Sequence, residues 1–345
     1  MARTVHQSRP MRGLGLLSLS TLFACAVQHE SPGRDPTQLP DVGVGTSAVP
    51  DIRCAGTPAT GAATDWRHTS SHLVALGDAH HRGIDLIAAD GDATQRIAGK
   101  LAYGSTDKDL EDEDVDLFAC IDARWQPLGT ARTDDDGRFS LVLAGDERLP
   151  AGMRDLYLSV RGDRTGAAFL AFVAPRGTRI VVADVDGTLT ASENEYPLSL
   201  AIGGDVAAQP DAPAALMALA ARGYTIVYVT ARGDRFTQDT RDWFATQGFP
   251  RGPMRLPAPI VTLPGADTVA FKSEAIASLA AFELAAGFGN RASDVTAYTG
   301  AGLPADRIFI KLPEFTEELA GALSAGAVTG FESYEQLRVE RLAAL

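Results

Sequence analysis

Ile180-Val-Val-Ala-Asp184-Val-Asp186-Gly187-Thr188-Leu-Thr190 is the stretch on which the reading of this chain turns. Four apolar residues, three of them β-branched, run straight into two aspartates spaced two apart. A continuous apolar run of this kind reads as a buried strand of a parallel sheet. The period of two along a strand puts Asp184 and Asp186 on one face of its end, and Gly187 lets the backbone turn sharply beyond them. Two carboxylates so placed suit a carboxylate nucleophile, a second carboxyl as acid and base, and Mg²⁺ held between them and a phosphate. Taken alone, the pattern also describes a strand ending in an Asp-Gly turn, so the surrounding sequence has to decide.

Downstream, strands and helices alternate. A helix is expected near 211–222, with Asp211 as its cap, Pro213 in its first turn and Gly223 at its end. Then come strand Tyr224–Thr230, a helix from Phe236 to Gln247, a helix from Thr268 to Phe282, an apolar strand into Gly287-Phe-Gly-Asn290, a helix from Ser293 to Gly300 and strand Arg307–Lys311. Such alternation means a parallel sheet with helices on both faces, and ligands of these sheets bind beyond the carboxyl ends of the strands. The candidates cluster at those ends. Thr230 could bond a phosphate oxygen, although a strand-end Thr is also ordinary β-propensity. Lys272 could supply positive charge to a phosphoryl transition state, or be a surface lysine laid along its helix. Asn290 and Asp294 could complete an oxygen-rich Mg²⁺ shell, with a helix-dipole role as the alternative for Asp294.

Upstream, short apolar runs at 96–103, 115–121, 128–132, 139–144, 156–161 and 167–173 are separated by turn signals, the pattern of an antiparallel sandwich. The acidic stretches at 107–116 and 133–139 read as solvated turns rather than Ca²⁺ loops, because neither has EF-hand ligand order. Only Pro175 to Arg179 separates the two halves, so the sandwich is expected to pack directly on the α/β half.

The net charge of −13 argues against non-specific nucleic-acid binding and against an electrostatic hold on an anionic membrane. Arg3, Arg9 and Arg12 precede an apolar run, Gly13 to Ala24, too short to span a bilayer. That reads as a signal peptide over residues 1–24. Leu22-Phe-Ala-Cys25 resembles a bacterial lipobox, which implies an exported chain, periplasmic or membrane-anchored through lipid on Cys25; ordinary signal cleavage near Ala24 and a buried N-terminal apolar helix are the alternatives. Residues 25–75 read as a tether. Cys54 and Cys120 could pair, or Cys120 could be a plain core residue. The histidines form no ligand set, and His80-His81 reads as a turn or surface pair.

The order DxDGT, strand-end Thr, isolated Lys and GN-xxx-D, over residues 178–312, resembles the haloacid-dehalogenase phosphatase superfamily. That resemblance implies Asp184 as the nucleophile that becomes aspartyl-phosphate and Asp186 as the acid and base. Thr230 and Lys272 would assist, and Mg²⁺ would be held by Asp184, the Asp186 carbonyl, Asp294 and Asn290. More narrowly, Thr230-Ala-Arg-Gly, Gly248-Phe-Pro-Arg-Gly and Gly289-Asn-Arg-Ala-Ser-Asp-Val-Thr-Ala-Tyr298 resemble lipin-type phosphatidate phosphatases. Gly99-Lys-Leu-Ala-Tyr-Gly104, Val160-Arg-Gly-Asp163 and Pro175-Arg-Gly-Thr178 resemble the C-terminal region of membrane-associated phosphatidylinositol-transfer proteins of the retinal-degeneration-B type. In that second family the phosphatase motif is degenerate and the domain binds phosphatidic acid, whereas here both aspartates stand.

Neither Ser192–Pro210 nor the stretch from Thr230 to Lys272 leaves room for a sizeable cap domain. The expected fold is therefore α/β: a Rossmann-like parallel sheet of haloacid-dehalogenase type, uncapped, over 177–345, preceded by an Ig-like β-sandwich over 76–176. The expected function is a Mg²⁺-dependent phosphatidate phosphatase meeting a phospholipid at a membrane surface, without a transmembrane span. A non-catalytic phosphatidic-acid-binding module and a phosphatase of another soluble or macromolecular phosphoester are the alternatives.

Overall fold

A computed structural model describes residues 49–193, 206–258 and 265–345. Eleven strands build the first half: β1 (Asp51–Ile52), β2 (Arg82–Ile84), β3 (Leu86–Ala89), β4 (Thr94–Lys100), β5 (Ala102–Tyr103), β6 (Lys108–Asp109), β7 (Asp114–Ile121), β8 (Arg124–Arg132), β9 (Arg138–Ala144), β10 (Gly152–Val160) and β11 (Gly166–Ala174). One sheet runs β3-β11-β10-β7-β8, with β1 added in parallel to β10; a second runs β2-β4-β9. Side chains from both sheets, among them Leu117, Leu156 and Phe169 from one and Ile97, Phe139 and Leu143 from the other, share one core. Burial alternates along β7, as it must where one face meets that core and the other meets water. Cys54 and Cys120 form a disulfide that ties the N-terminal segment to β7.

The second half holds β12 (Arg179–Ala183), β13 (Thr225–Val229), β14 (Met254–Arg255), β15 (Glu283–Gly289), β16 (Ile308–Lys311) and β17 (Thr329–Phe331). They form one parallel sheet in the order β14-β13-β12-β15-β16-β17. Here the strands are buried almost continuously because helices or the sandwich cover both faces. Val181 and Ala183 point into a core with the helix Ala212–Ala221 and with Tyr334 and Leu337. Ile180 and Val182 point the other way, to Ile276, Tyr298 and, from the sandwich, Phe172 and Ala174. The chain leaves β12 toward β13 on one side and returns to β15 on the other. The crevice between β12 and β15 is thus the topological switch point where such sheets bind ligands.

The two halves pack without a linker, as expected. The Phe172 and Phe282 rings lie 5.4 Å apart. Asp85, buried between β2 and β3, accepts the Leu170 N–H, the Met254 N–H and an Arg241 guanidinium N–H, each at 2.8 Å. Three bonds from both halves thereby satisfy a carboxylate that burial would otherwise penalise.

Some expectations are corrected. The helix expected to reach Phe282 ends at Ala277; Leu279 and Phe282 stay apolar because they are buried in the following turns. β8 begins at Arg124 rather than Leu128, since it is an edge strand and tolerates Pro127 beside a register shift. Asp211 precedes its helix with a left-handed φ of 62°, and its side chain makes no capping bond; a capping residue needs an extended backbone to aim its oxygen at the first N–H groups. His81 is buried, not a surface residue. The segments read as free of a cap include 194–205 and 259–264, which lie outside the described residues, as do the proposed signal peptide and Cys25.

Candidate active site

Asp184 follows β12 directly and is almost fully buried. Its Oδ1 accepts from Lys272 Nζ at 2.8 Å, and the same ammonium donates to Asp294 Oδ1 at 2.6 Å. Lys272 stands on the helix Ala266–Ala277, and Asp294 in the first turn of the helix Ala292–Gly300 that follows β15. The other Asp294 oxygen accepts the N–H groups of Asn290 and Arg291 at 3.1 and 3.0 Å. Thr188 Oγ1 lies 3.1 Å from Asp184 Oδ2 and 3.2 Å from Asn290 Oδ1, so those two oxygens converge on one spot. The Asn290 amide donates to Glu193 Oε2 at 2.9 Å.

Two glycines are required by this crowding. Gly187 has a φ of +70°, and a Cβ there would meet Asn290 Nδ2 at 2.0 Å; one on Gly289 would meet the Asp294 side chain at 2.4 Å.

Asp186 occupies the opposite wall. Arg232 forks onto it, Nε at 2.9 Å from Oδ2 and Nη2 at 2.7 Å from Oδ1. Thr230 Oγ1 is 3.4 Å from the same carboxylate and accepts the Arg232 N–H. The six residues singled out from sequence (Asp184, Asp186, Thr230, Lys272, Asn290 and Asp294) therefore meet at one place. Asp184, Asp186 and Lys272 line a cleft of about 350 Å³ that extends past Glu193, Thr268 and Arg291. Sequence reasoning gave no role to Thr188, Glu193, Arg232 or Arg291. Thr188 and Arg232 stand inside motifs already quoted, and a charged residue next to a strand end was the available signal for Arg232.

Charge dominates this cleft. Burial pushes the Asp184 carboxyl up, to about 8, with Asp294 and Glu193 adding to the effect and Lys272 opposing it. Burial alone would lower Lys272, but Asp184 and Asp294 outweigh it and hold the ammonium above its usual range. Four carboxyl groups (Asp184, Asp186, Glu193, Asp294), of which burial raises Asp184 and Glu193, face three cations (Lys272, Arg232, Arg291), and Arg291 is shared with Glu318. That surplus, with Asp184 and Asn290 oxygens converging, fits a hard divalent cation in donor chemistry. Among the described residues no three His, Cys, Asp or Glu side chains are gathered as ligands. The anticipated set contains only two carboxylate ligands, Asp184 and Asp294, beside an amide and a backbone oxygen.

Residues 181–311 match the family described as PITM 1-3, LNS2 domain, and residues 79–173 match PITM 1-3, beta-sandwich domain. The chain is a β-sandwich followed by an LNS2 domain. Membrane-associated phosphatidylinositol transfer protein 3 of Mus musculus is 31% identical over 236 residues, which cover 67% of this chain and 23% of that protein. Protein retinal degeneration B of Drosophila melanogaster is 29% identical over 254 residues, 72% of this chain and 20% of that one. The chain thus spans about a quarter or less of the length of these relatives. A putative beta-phosphoglucomutase from Thermotoga maritima is a structural neighbour at 14% identity, covering 48% of this chain and all of that one, with a TM-score of 0.34.

For the LNS2 chain these relatives bear on the transfer-protein resemblance and not on a lipin catalytic domain as such. They also overturn the exported, Cys25-lipidated reading. The matched proteins are animal proteins, most of them named membrane-associated phosphatidylinositol transfer proteins, and none is named as an exported lipoprotein. A basic flank and a short apolar run are a compositional pattern, and composition does not distinguish an export signal from other N-terminal segments. Among the described residues no helix is long and apolar enough to cross a membrane.

Proposed function

We propose that the β12/β15 cleft binds and hydrolyses a phosphate monoester, and that its substrate is phosphatidate presented at a lipid surface. The observation that carries this reading is Lys272, whose one ammonium bridges Asp184 and Asp294 at the switch point of the sheet, with Asp186 two residues further along. Asp184, ionised, attacks phosphorus while the ester P–O bond breaks, and Asp186, having taken up a proton from water on an oxygen released by Arg232, gives that proton to the leaving oxygen. Asp186 then takes a proton from water, which attacks phosphorus, freeing Asp184 and inorganic phosphate. Lys272 neutralises charge that grows on the phosphoryl oxygens, and Thr230 orients the group through its hydroxyl. Mg²⁺, when held by Asp184, the Asp186 carbonyl, Asn290 and Asp294, would add Lewis-acid stabilisation of the same oxygens.

A second reading, a phosphatidic-acid-binding module without turnover, is favoured by two observations. The relatives are named as transfer proteins, and the Asp186 carboxylate is engaged by Arg232 on both oxygens. Phosphate release from phosphatidate vesicles, with and without Mg²⁺ and beside a soluble phosphoester, separates the two. Mg²⁺-dependent release lost in Asp184→Asn supports hydrolysis. Tight vesicle binding with no release from either substrate supports the binding module.

A further inference from the structure

Among the described residues the sandwich contributes none to the cleft lining, yet it grips the segment that holds Asp186. Arg82 of β2 is buried and paired with Asp107 at 2.8 Å through both terminal nitrogens. One of those nitrogens also stands 2.9 Å from Asp234, and Arg138 of β9 approaches the other Asp234 oxygen at 3.6 Å. Asp234 lies two residues after Arg232. Further contacts repeat the grip. Arg235 Nη1 donates to the Ser105 carbonyl at 2.6 Å and Gln238 Nε2 to the Ala168 carbonyl at 2.8 Å, while Arg241 pairs with buried Asp85. The helix Thr237–Gln247 carries both sides of the connection. Gln238 and Arg241 reach the sandwich, and Thr240 accepts from Arg232 Nη1 at 3.1 Å.

We infer that the β-sandwich is a positioning element for the proposed acid/base: Arg82 fixes Asp234, the Asp234 loop and its helix fix Arg232, and Arg232 fixes the Asp186 carboxylate. Arg82 lies out of water with Asp107 and Asp234, where a lost partner is costly, while Arg138 meets Asp234 from the solvent side at 3.6 Å, so the loop has one favoured placement. The fork of Arg232 then sets where Asp186 stands, because a bidentate guanidinium–carboxylate pair defines geometry as well as charge, and in turnover one arm of the fork opens to leave an Asp186 oxygen for the proton. Arg82 and Asp234 are positioning residues, acting through Arg232 and touching no substrate. The inference rests on the hydrolytic reading for its catalytic consequence and on geometry alone for the link itself.

The test uses the full chain with ³²P-phosphatidate in phosphatidylcholine vesicles and Mg²⁺. Arg82→Ala and Asp234→Asn are expected to lower kcat about tenfold with KM unchanged, since a mispositioned acid/base loses part of its usual contribution. Acid-quenched ³²P-protein should rise in both, because the water step needs Asp186 as base. Arg82→Lys should restore most of kcat. Arg251→Ala, which removes a different ion pair to the sandwich with Asp51 and Asp155, should leave kcat and the ³²P-protein level unchanged. A second readout is free of activity: the Arg232 Nε–H signal in NMR, assigned by its loss in Arg232→Lys, should exchange faster with water in Arg82→Ala and Asp234→Asn only. Unchanged exchange and kcat in folded Arg82→Ala and Asp234→Asn, or an equal fall in Arg251→Ala, overturns the inference. Faster exchange in Arg82→Ala and Asp234→Asn, together with a wild-type chain that releases no phosphate, upholds the link and removes the hydrolytic reading instead.

Discussion

At the residue scale, burial pushes both Lys272 and His81 toward the neutral form, and only Lys272 has carboxylates that outweigh it. Replacing Lys272 with Met leaves Asp184 and Asp294 buried without their shared cation. Urea unfolding is expected to show a loss of about 3–5 kcal/mol; a loss below about 1 kcal/mol would show that water reaches these carboxylates freely. His81 donates or accepts at Thr165 Oγ1, 2.8 Å away, and packs edge-on against Tyr103. Burial lowers it from 6.5 to about 4, with Arg82 and His80 adding to the shift and Asp163 opposing it. Between those values the unfolded chain binds a proton that the folded chain refuses. Its contribution is therefore full above about pH 7 and lost as pH falls to about 4, a span worth roughly 3 kcal/mol. His81→Phe should flatten that part of the stability–pH curve, and an unchanged slope would contradict the assignment. Asp184, Asp186 and Asp294 were legible because a strand end and a helix start declare themselves in apolar periodicity. His81 was not, because nothing local says which side of a turn faces a core.

At the element scale, the strands of the parallel sheet were readable from unbroken apolar runs, and those of the sandwich from alternation. Short strands carry too few residues for either period to show. β2, β3, β14 and β17 therefore emerged only from their partners, and with them the setting of Asp85. Asp85→Asn keeps the shape but removes the charge that Arg241 meets, and one amide nitrogen would face the N–H of Leu170 or Met254. A cost of about 2–3 kcal/mol in thermal or urea unfolding is expected. A neutral substitution would mean that the contact between the halves does not depend on this carboxylate. The grip of the sandwich on Arg232 was illegible for a related reason: it runs through a loop, a helix and a partner more than a hundred residues away in sequence.

At the scale of the whole molecule, the apolar seam of Phe172, Ala174, Ile180 and Phe282 makes the two halves share a core. One cooperative unfolding transition is expected, with far-UV and near-UV signals coincident. A fragment of residues 177–345 should fail to give a native near-UV spectrum. Two separated transitions would contradict a shared core. Charge argued against nucleic acid from composition alone, whereas composition misled at the N-terminus.

The proposed hydrolysis places Asp184 beneath a phosphate. Mg²⁺-dependent phosphate release from phosphatidate vesicles measures this most directly: the wild-type chain should release phosphate and Asp184→Asn should not, and release undiminished in Asp184→Asn would contradict the placement.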